Sequence, residues 1–235
     1  MPATRTARDR VRDEVTKEIL AVATSHLARD GGAALSLRSI ARDLEMAPSA
    51  LYRYFDGRDA LLSALILGAY TSLAEAAEKA ADAAERAAGS ESERWLAVPR
   101  TMRRWALARP HEWGLIFGSP VPGYRAPEET TVPYTRLAAA LVRPVADAQR
   151  NGRLHARQRD EAPSPAMDHA LAPVHEALLP DSTTTTVRRA LQSWATLIGV
   201  ISLELFGHFH NTVLEPELLF EATMRDAAEG LGLGT

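Results

Sequence analysis

Cysteine is absent from the 235 residues, which excludes disulfide staples, thiolate metal sites and cysteine nucleophiles together. A reducing cytoplasm is the expected location. Long apolar runs are also missing. The longest uncharged stretches, Ala60 to Ala74 and Ala190 to Leu203, stop short of the roughly 18–20 residues a membrane helix needs. The N-terminus, with Arg5, Arg8, Asp9, Arg10, Arg12 and Asp13, lacks the apolar segment of a secretory signal. No membrane partner is expected. Charge of one sign is scarce as well: 27 basic and 30 acidic side chains leave a formal net charge of −3, too little to draw the whole protein onto a polyanion. Any contact with nucleic acid must be local. Gly-rich phosphate loops, nucleophile elbows and zinc motifs do not occur, so neither catalytic residues nor a cofactor is expected. Glu204, His208 and His210 come nearest to a metal set, but His208 and His210 face different sides of any helix. No metal site is expected.

What is present is a globular composition, 46% apolar and 24% charged. From Arg8 to Asp30 the residues Val11, Val15, Ile19, Val22 and Leu27 mark one helical stripe, ended by Gly31 and Gly32. Ser36 precedes Leu37, Ile40, Ala41 and Leu44, where its hydroxyl can cap a short second helix. A turn over Glu45 to Ala47 leads to Pro48, which suits the opening of a third helix carrying Leu51 to Phe55. Asp56 and Gly57 break that helix, and from Arg58 a long helix runs into a stretch, residues 69–88, that is half alanine. Further helices are expected over Glu91 to Ala108, a turn or two over His111 to Phe117, Tyr134 to Gln149, Thr184 to Phe209 and Glu215 to Leu231. Pro120, Pro122, Pro127 and Pro133 predict an irregular segment. Residues 151–183, with Pro163, Pro165, Pro173 and Pro180, read as loop with one short helix near Met167 to Leu178. No period-two alternation supports a sheet, so the class is all-α.

Two short helices joined by a three-residue turn can be an ordinary hairpin of a bundle or a helix-turn-helix, whose second helix enters the major groove of DNA. The exposed chemistry favours the latter. Tyr52, Arg53 and Tyr54 are consecutive and cannot all face a core that Leu51 and Phe55 already fill. Hydroxyls and a guanidinium are left facing outward, and these suit phosphate oxygens and base edges.

The segment LSLRSIARDLEMAPSALYRYFDGRDALLSAL resembles the DNA-binding region of tetracycline-repressor-type (TetR) transcriptional regulators, over roughly residues 8 to 68. The family pattern places Thr or Ser before Ile-Ala, then Leu-Tyr-x-His-Phe, then Lys before Leu-Leu. Here these are Ser36, Ile40 and Ala41, Leu51 and Tyr52, Tyr54 for histidine, Phe55, Arg58 for lysine, and Leu61 and Leu62, while Ser49 and Ala50 stand where Gly-Thr is frequent. The resemblance implies a three-helix DNA-binding domain over residues 1–58, joined to a larger helical ligand-binding and dimerisation domain over 59–235. It implies DNA contacts from Ser36, Arg38, Ala47, Pro48, Ser49, Ala50, Tyr52, Arg53, Tyr54 and Arg58. Arg5 and Arg8 form either an arm along the DNA or a plain tail. Residues 1–60 carry ten basic and nine acidic side chains, so positioning rather than bulk charge must supply affinity.

The implied protein is a homodimeric, sequence-specific repressor that binds a palindromic double-stranded operator and is released by a small, mostly apolar ligand. A DNA-binding structural protein without an inducer is the alternative. For the dimer interface the candidate is the helix pair near 184–209 and 215–231, with Leu191, Trp194, Ile198, Ile201 and Leu205 in a stripe and Gly199 and Gly207 permitting close approach. An internal core helix is the competing reading of that stripe. Met102, Trp105, Trp113, Phe117 and Trp194 are either core or the wall of a ligand pocket. HEWGLIFGSPVPGY at 111–124 and WATLIGVISLELFGH at 194–208 resemble a TetR subgroup with a Trp-x-x-x-His-Gly motif; here Ile198 replaces the histidine.

Overall fold

The structure, a computed structural model, describes residues 6–87, 89–155 and 164–234. Arg5, Ala88 and Pro163 lie outside them. Among the described residues the chain forms ten α-helices and no strand: α1 Ala7–Asp30, α2 Leu37–Asp43, α3 Pro48–Leu51, α4 Arg58–Arg86, α5 Glu91–Ala108, α6 Pro110–Phe117, α7 Thr131–Arg150, α8 Pro165–Leu178, α9 Thr184–Leu205 and α10 Pro216–Gly230. They belong to two compact units. One holds residues 6–70 and 111–130; the other holds the described parts of 71–110 and 131–234.

The first unit is built on Ile19 and Ala23 of α1, Leu37, Ile40 and Ala41 of α2, Leu51 and Phe55, and Leu61, Leu62, Leu65 and Ile66 of α4, all buried together. It extends beyond residues 1–58 because Leu115, Ile116, Val121 and Tyr124 pack on the same core. Polar clasps fix that segment: the Tyr70 hydroxyl donates to the Ile116 carbonyl at 3.1 Å, and the Tyr124 and Ser63 hydroxyls lie 2.9 Å apart. Phe117 stacks edge-on against Tyr70 and 4.5 Å from Trp113. Gly118 follows, where a Cβ would collide with the Gly114 carbonyl.

In the second unit α5 is tied to three neighbours. Arg94 bonds Asp147 of α7 at 3.0 Å, Arg100 grips Glu221 of α10 through two 2.8 Å bonds, and Arg103 grips Glu204 of α9 at 2.7 and 2.8 Å. The apolar residues of α4 are divided between the two cores, Leu61 to Ile66 in the first and Leu73, Ala74, Ala77 and Ala81 buried in the second. That helix is long and apolar enough by composition to pass for a membrane span, yet Leu61, Leu62, Leu65, Ile66 and Leu73 are buried inside the units.

Several local expectations need correction. Ser36 occupies the N-cap position of α2 but its hydroxyl makes no capping bond. The regular part of α3 ends at Leu51, and Tyr52 to Tyr54 continue as tighter turns with Arg53 N–H on the Ala50 carbonyl and Tyr54 N–H on the Leu51 carbonyl. Pro133 lies within the first turn of α7 rather than in the irregular segment, a place where its missing N–H costs nothing. α8 starts two residues earlier than the apolar period suggests, because Ser164 caps it and Pro165 opens it. α9 stops at Leu205, and Gly207 at φ +80° turns the chain.

α2 ends in a Schellman motif: the Met46 N–H bonds the Ala41 carbonyl and the Glu45 N–H the Arg42 carbonyl. This places Glu45 at φ +54°, a left-handed conformation that strains a residue with a Cβ. Glu45→Gly is therefore expected to stabilise the protein by about 0.5–1 kcal/mol. A urea midpoint that rises at unchanged m-value is the result to look for; a lower midpoint refutes the strain.

The α5–α10 network is pH-sensitive. Hydrogen bonds from Arg100 hold the Glu221 and Glu93 carboxyls below their ordinary pKa of 4.5, and Arg225 adds to the effect at both. Carboxyls depressed by folding stabilise above the unfolded value and lose that contribution as pH falls through the folded one. Glu221→Gln is thus expected to cost about 1–2 kcal/mol at pH 7, with the gap to the parent protein closing below pH 4.5. Denaturant unfolding at pH 7 and below pH 4 measures both; a gap that does not shrink removes the assignment.

Candidate nucleic-acid interface

α3 is too short to hold its own conformation. Leu51 and Phe55, 0% and 7% exposed, pin its inner side, and burial of this kind contributes about 2–3 kcal/mol per side chain. The opposite side is open. Ala47, Pro48, Ser49, Tyr52 and Arg53 are exposed and Ala50 is half-buried. These are the groups that the turn geometry and Pro48 present along one edge, and Arg53 has no side-chain partner among the described residues. Arg38 on α2 is likewise exposed and unpaired, while Arg42 beside it reaches Ser39 and Asp43. Arg8, exposed in the first turn of α1, extends the same basic character.

Three expected contacts are placed differently from a simple outward array. Ser36 is half-buried with its hydroxyl unused by the cap, so both it and the first amides of α2 face no helix-internal acceptor. Tyr54 is half-buried against the core, with the Arg12 guanidinium 5.7 Å from its ring centroid. Arg12 also donates to the Arg53 carbonyl at 3.3 Å and so braces the end of the α3 turn. Arg58 donates to the Gly32 carbonyl at 2.9 Å, tying the start of α4 to the loop after α1.

One contributor carried no sequence signal. His26, 3% exposed in α1, stands 2.7 Å by its Nε2 from the Asp43 carboxylate at the end of α2. That hydrogen bond, helped by the charges of His26, Arg42 and Arg29, holds the Asp43 carboxyl below its usual value. The pair fixes the angle between α1 and α2, and hence the platform that carries α3. Helical spacing places His26 on the buried stripe, but its partner lies 17 residues away.

The candidate ligand residues fall into both units. Trp113 and Phe117 are packed together in the first. In the second, Met102 is fully buried, and the Trp105 indole N–H donates to Ser72 at 3.1 Å with Arg109 over its ring. Trp194 stands edge-on to Tyr134 and lines a cavity of about 90 Å³ between α7, α8 and α9. Glu204 has its carboxylate committed to Arg103.

A buried scaffold presenting one short helix by its polar edge defines a helix-turn-helix DNA-binding protein. Residues 19–65 match the family model for bacterial regulatory proteins of the tetR family, and residues 95–227 match that of the tetracyclin repressor-like C-terminal domain. The chain is 35% identical over 216 residues to the HTH-type transcriptional regulator Rv1816 of Mycobacterium tuberculosis, and equally to Mb1846 of Mycobacterium bovis, covering 91% of each chain. Among solved structures, regulatory protein SCO4313 superposes with a TM-score of 0.76 at 36% identity, covering 95% of this chain and 100% of that one. A protein from Rhodococcus sp. RHA1 gives 0.67 at 25%, covering 99% of both chains. RolR, crystallised with resorcinol, shares the fold at 0.53 and 16%, covering 94% and 93%. The chain belongs to the TetR family of DNA-binding transcriptional regulators, and its relatives are regulators rather than enzymes.

Arg53 and Arg58 should separate by assay. Arg53→Ala is expected to leave the unfolding midpoint unchanged and to lower DNA affinity, by about 1–3 kcal/mol on the preferred site if the guanidinium reads a base. Arg58→Ala is expected to lower the unfolding midpoint, because the Gly32 carbonyl loses its donor. Equal effects of the two substitutions on stability would contradict these placements.

Proposed function

We propose that the protein is a homodimeric, cytoplasmic repressor that reads a nearly palindromic operator and leaves it when its helical C-terminal unit takes up a small, mostly apolar ligand. The observation that carries the DNA reading is the two-sidedness of the α3 turn, buried through Leu51 and Phe55 and exposed through Pro48, Ser49, Tyr52 and Arg53. Ser49 and Arg53 are the base readers in this proposal, since a serine pairs with several bases and an arginine prefers guanine. Ser36, Arg38 and Tyr52 are the phosphate contacts, and Ala47, Pro48 and Ala50 form the close apolar edge. Tyr54 and Arg58 act partly through the scaffold, having partners of their own.

The support for a dimer lies on α9 and α10. Ile201, in the expected stripe, is fully buried within the chain. The open face is instead Gln192, Ala195, Thr196, Gly199, Leu203 and Phe206, continued by Leu218 and Leu219 of α10. Small residues in its middle and open space around Gly199 suit close approach of a second helix. Leu203, Phe206 and Leu218 are 43%, 49% and 67% exposed, apolar side chains that a second copy would cover. The support for a ligand is the family's C-terminal domain and the apolar cavity at Trp194. RolR, which shares the fold, was crystallised in complex with the ligand resorcinol.

Footprinting with operator selected from genomic fragments tests the reading, with two protected half-sites about one helical turn apart expected. Phe206→Glu combined with Leu218→Glu is expected to yield a folded monomer in sedimentation and to weaken operator binding at least about tenfold. A double variant that remains dimeric would overturn the interface; a parent protein that is monomeric on DNA would overturn the architecture.

A further inference from the structure

The cavity of about 90 Å³ in the second unit has Tyr134, Ala138 and Leu141 of α7, Val174 of α8, and Ala190 and Trp194 of α9 in its wall. Of the five bulky residues that the sequence offers as a pocket, Trp194 alone lines it. The chemistry of the wall is narrow. Apart from Tyr134 and Trp194, every lining side chain is Ala, Val or Leu. Those two serve each other, the Trp194 indole bonding the Tyr134 hydroxyl with the rings edge-on and 5.8 Å apart. A water in such a place needs two to four polar partners, and a charge needs a counter-charge or pays heavily for leaving solvent. Hydrocarbon supplies neither. Tyr134 is the one ionisable residue of the described wall, and burial pushes its phenol above the ordinary pKa of 10, so it stays neutral at physiological pH.

Size narrows the occupant further. An engineered hydrocarbon cavity of roughly 150 Å³ stays dry and takes up benzene, so the present space is close to one ring and well short of two. Its wall is firm on two sides and loose on the third. Leu141 of α7 and Ala190 of α9 are buried, whereas α8 has no buried residue. Among the described residues α8 is held by His175, whose Nε2 lies 2.7 Å from the Ser182 carbonyl. Elements with few buried contacts yield at the lowest free energy, so a small outward shift of α8 both admits a guest and adds the volume that a ring needs.

We propose that this cavity binds a small, uncharged single-ring compound, of benzene to phenol size, seated against Trp194 and admitted by α8. The proposal rests on the reading that the C-terminal unit receives a small ligand, and adds its place and chemical class. Selection is by shape and by exclusion of charge. An ionised guest of the same outline loses its hydration and gains no partner from the wall, while a neutral ring exchanges water for the Ala, Val, Leu and Trp side chains that line it.

Fluorine NMR of the full-length protein titrated with fluorobenzene tests this. Saturable binding with a Kd of about 1 mM or tighter is expected. Ala138→Leu, which fills the cavity from α7, should weaken it at least about tenfold. Unfolding midpoints are measured for each variant, and Ala190→Leu fills the cavity from α9 if Ala138→Leu does not fold. 2,6-Difluorophenol tests charge at constant shape, because it loses its proton near neutral pH. Its affinity should fall at least about tenfold between about pH 6 and about pH 9, while that of fluorobenzene stays unchanged. Absence of saturable binding to the parent protein, an undiminished affinity in a folded filled variant, or a phenol affinity indifferent to ionisation would each overturn the site. Operator release measured in parallel separates the two readings. Binding here without release upholds the site and sinks its inducer role; release by a compound that keeps full potency in the filled variants upholds the inducer reading and removes this cavity as its place.

Discussion

A helix of one turn has no stability of its own, so the edge proposed to face DNA exists only because Leu51 and Phe55 are held in a core assembled by other elements. Everything else in the first unit serves that constraint. α1 and α4 supply most of the core, the His26–Asp43 pair sets α2 against α1, and Arg12 braces the far end of the turn through the Arg53 carbonyl and the Tyr54 ring. Regular helix beyond Leu51 is not needed, because Phe55 reaches the core through the tighter turn that follows. The exposed edge is thereby supported from beneath without being buried, the arrangement that recognition by a few side chains requires.

The helix-turn-helix was legible because its signals are local. Apolar residues four apart, a proline at a helix start and three polar residues in succession each report on one turn of chain, and a family resemblance could be fixed on the same residues. The all-α class followed from periodicity in the same way. Less legible were features whose partners are distant in sequence. Nothing near residue 115 indicates that Leu115, Ile116, Val121 and Tyr124 join the core of residues 19–66, since proline spacing signals only irregular backbone. Ser36 looks like a cap because most serines at that position are, yet the bond is not made. The Arg58 side chain has the right charge for phosphate, and only the fold reveals the Gly32 carbonyl within its reach.

The last helix pair shows the limit from another side. Sequence identified one apolar stripe on α9, Leu191, Trp194, Ile198, Ile201 and Leu205, and periodicity alone does not say whether it faces the core or a second copy. The fold buries Val187, Ala190, Leu197 and Ile201 against the rest of the unit and leaves Leu191, Trp194, Ile198 and Leu205 half-buried. Leu203 and Phe206 remain outside, with the small residues Ala195, Thr196 and Gly199 on the same face.

The second unit is unevenly fastened, and this bears on where it can yield. α5 acts as a spine, joined by Arg94, Arg100 and Arg103 to α7, α10 and α9. The Arg103–Glu204 pair is only 13% and 12% exposed, and breaking such a pair strands a charge in a poorly solvated place. These contacts therefore specify one arrangement of four helices, whatever their net contribution to stability. Among the described residues α8 has no comparable tie beyond His175 to the Ser182 carbonyl, and it has no buried side chain. Elements with few buried contacts open at the lowest free energy, so a displacement that spares the spine is cheapest at α8. A ligand entering there would meet α7 and α9 directly, and α9 carries the open face proposed for the dimer. A displacement of α8 would therefore be felt first by α9, against which it packs.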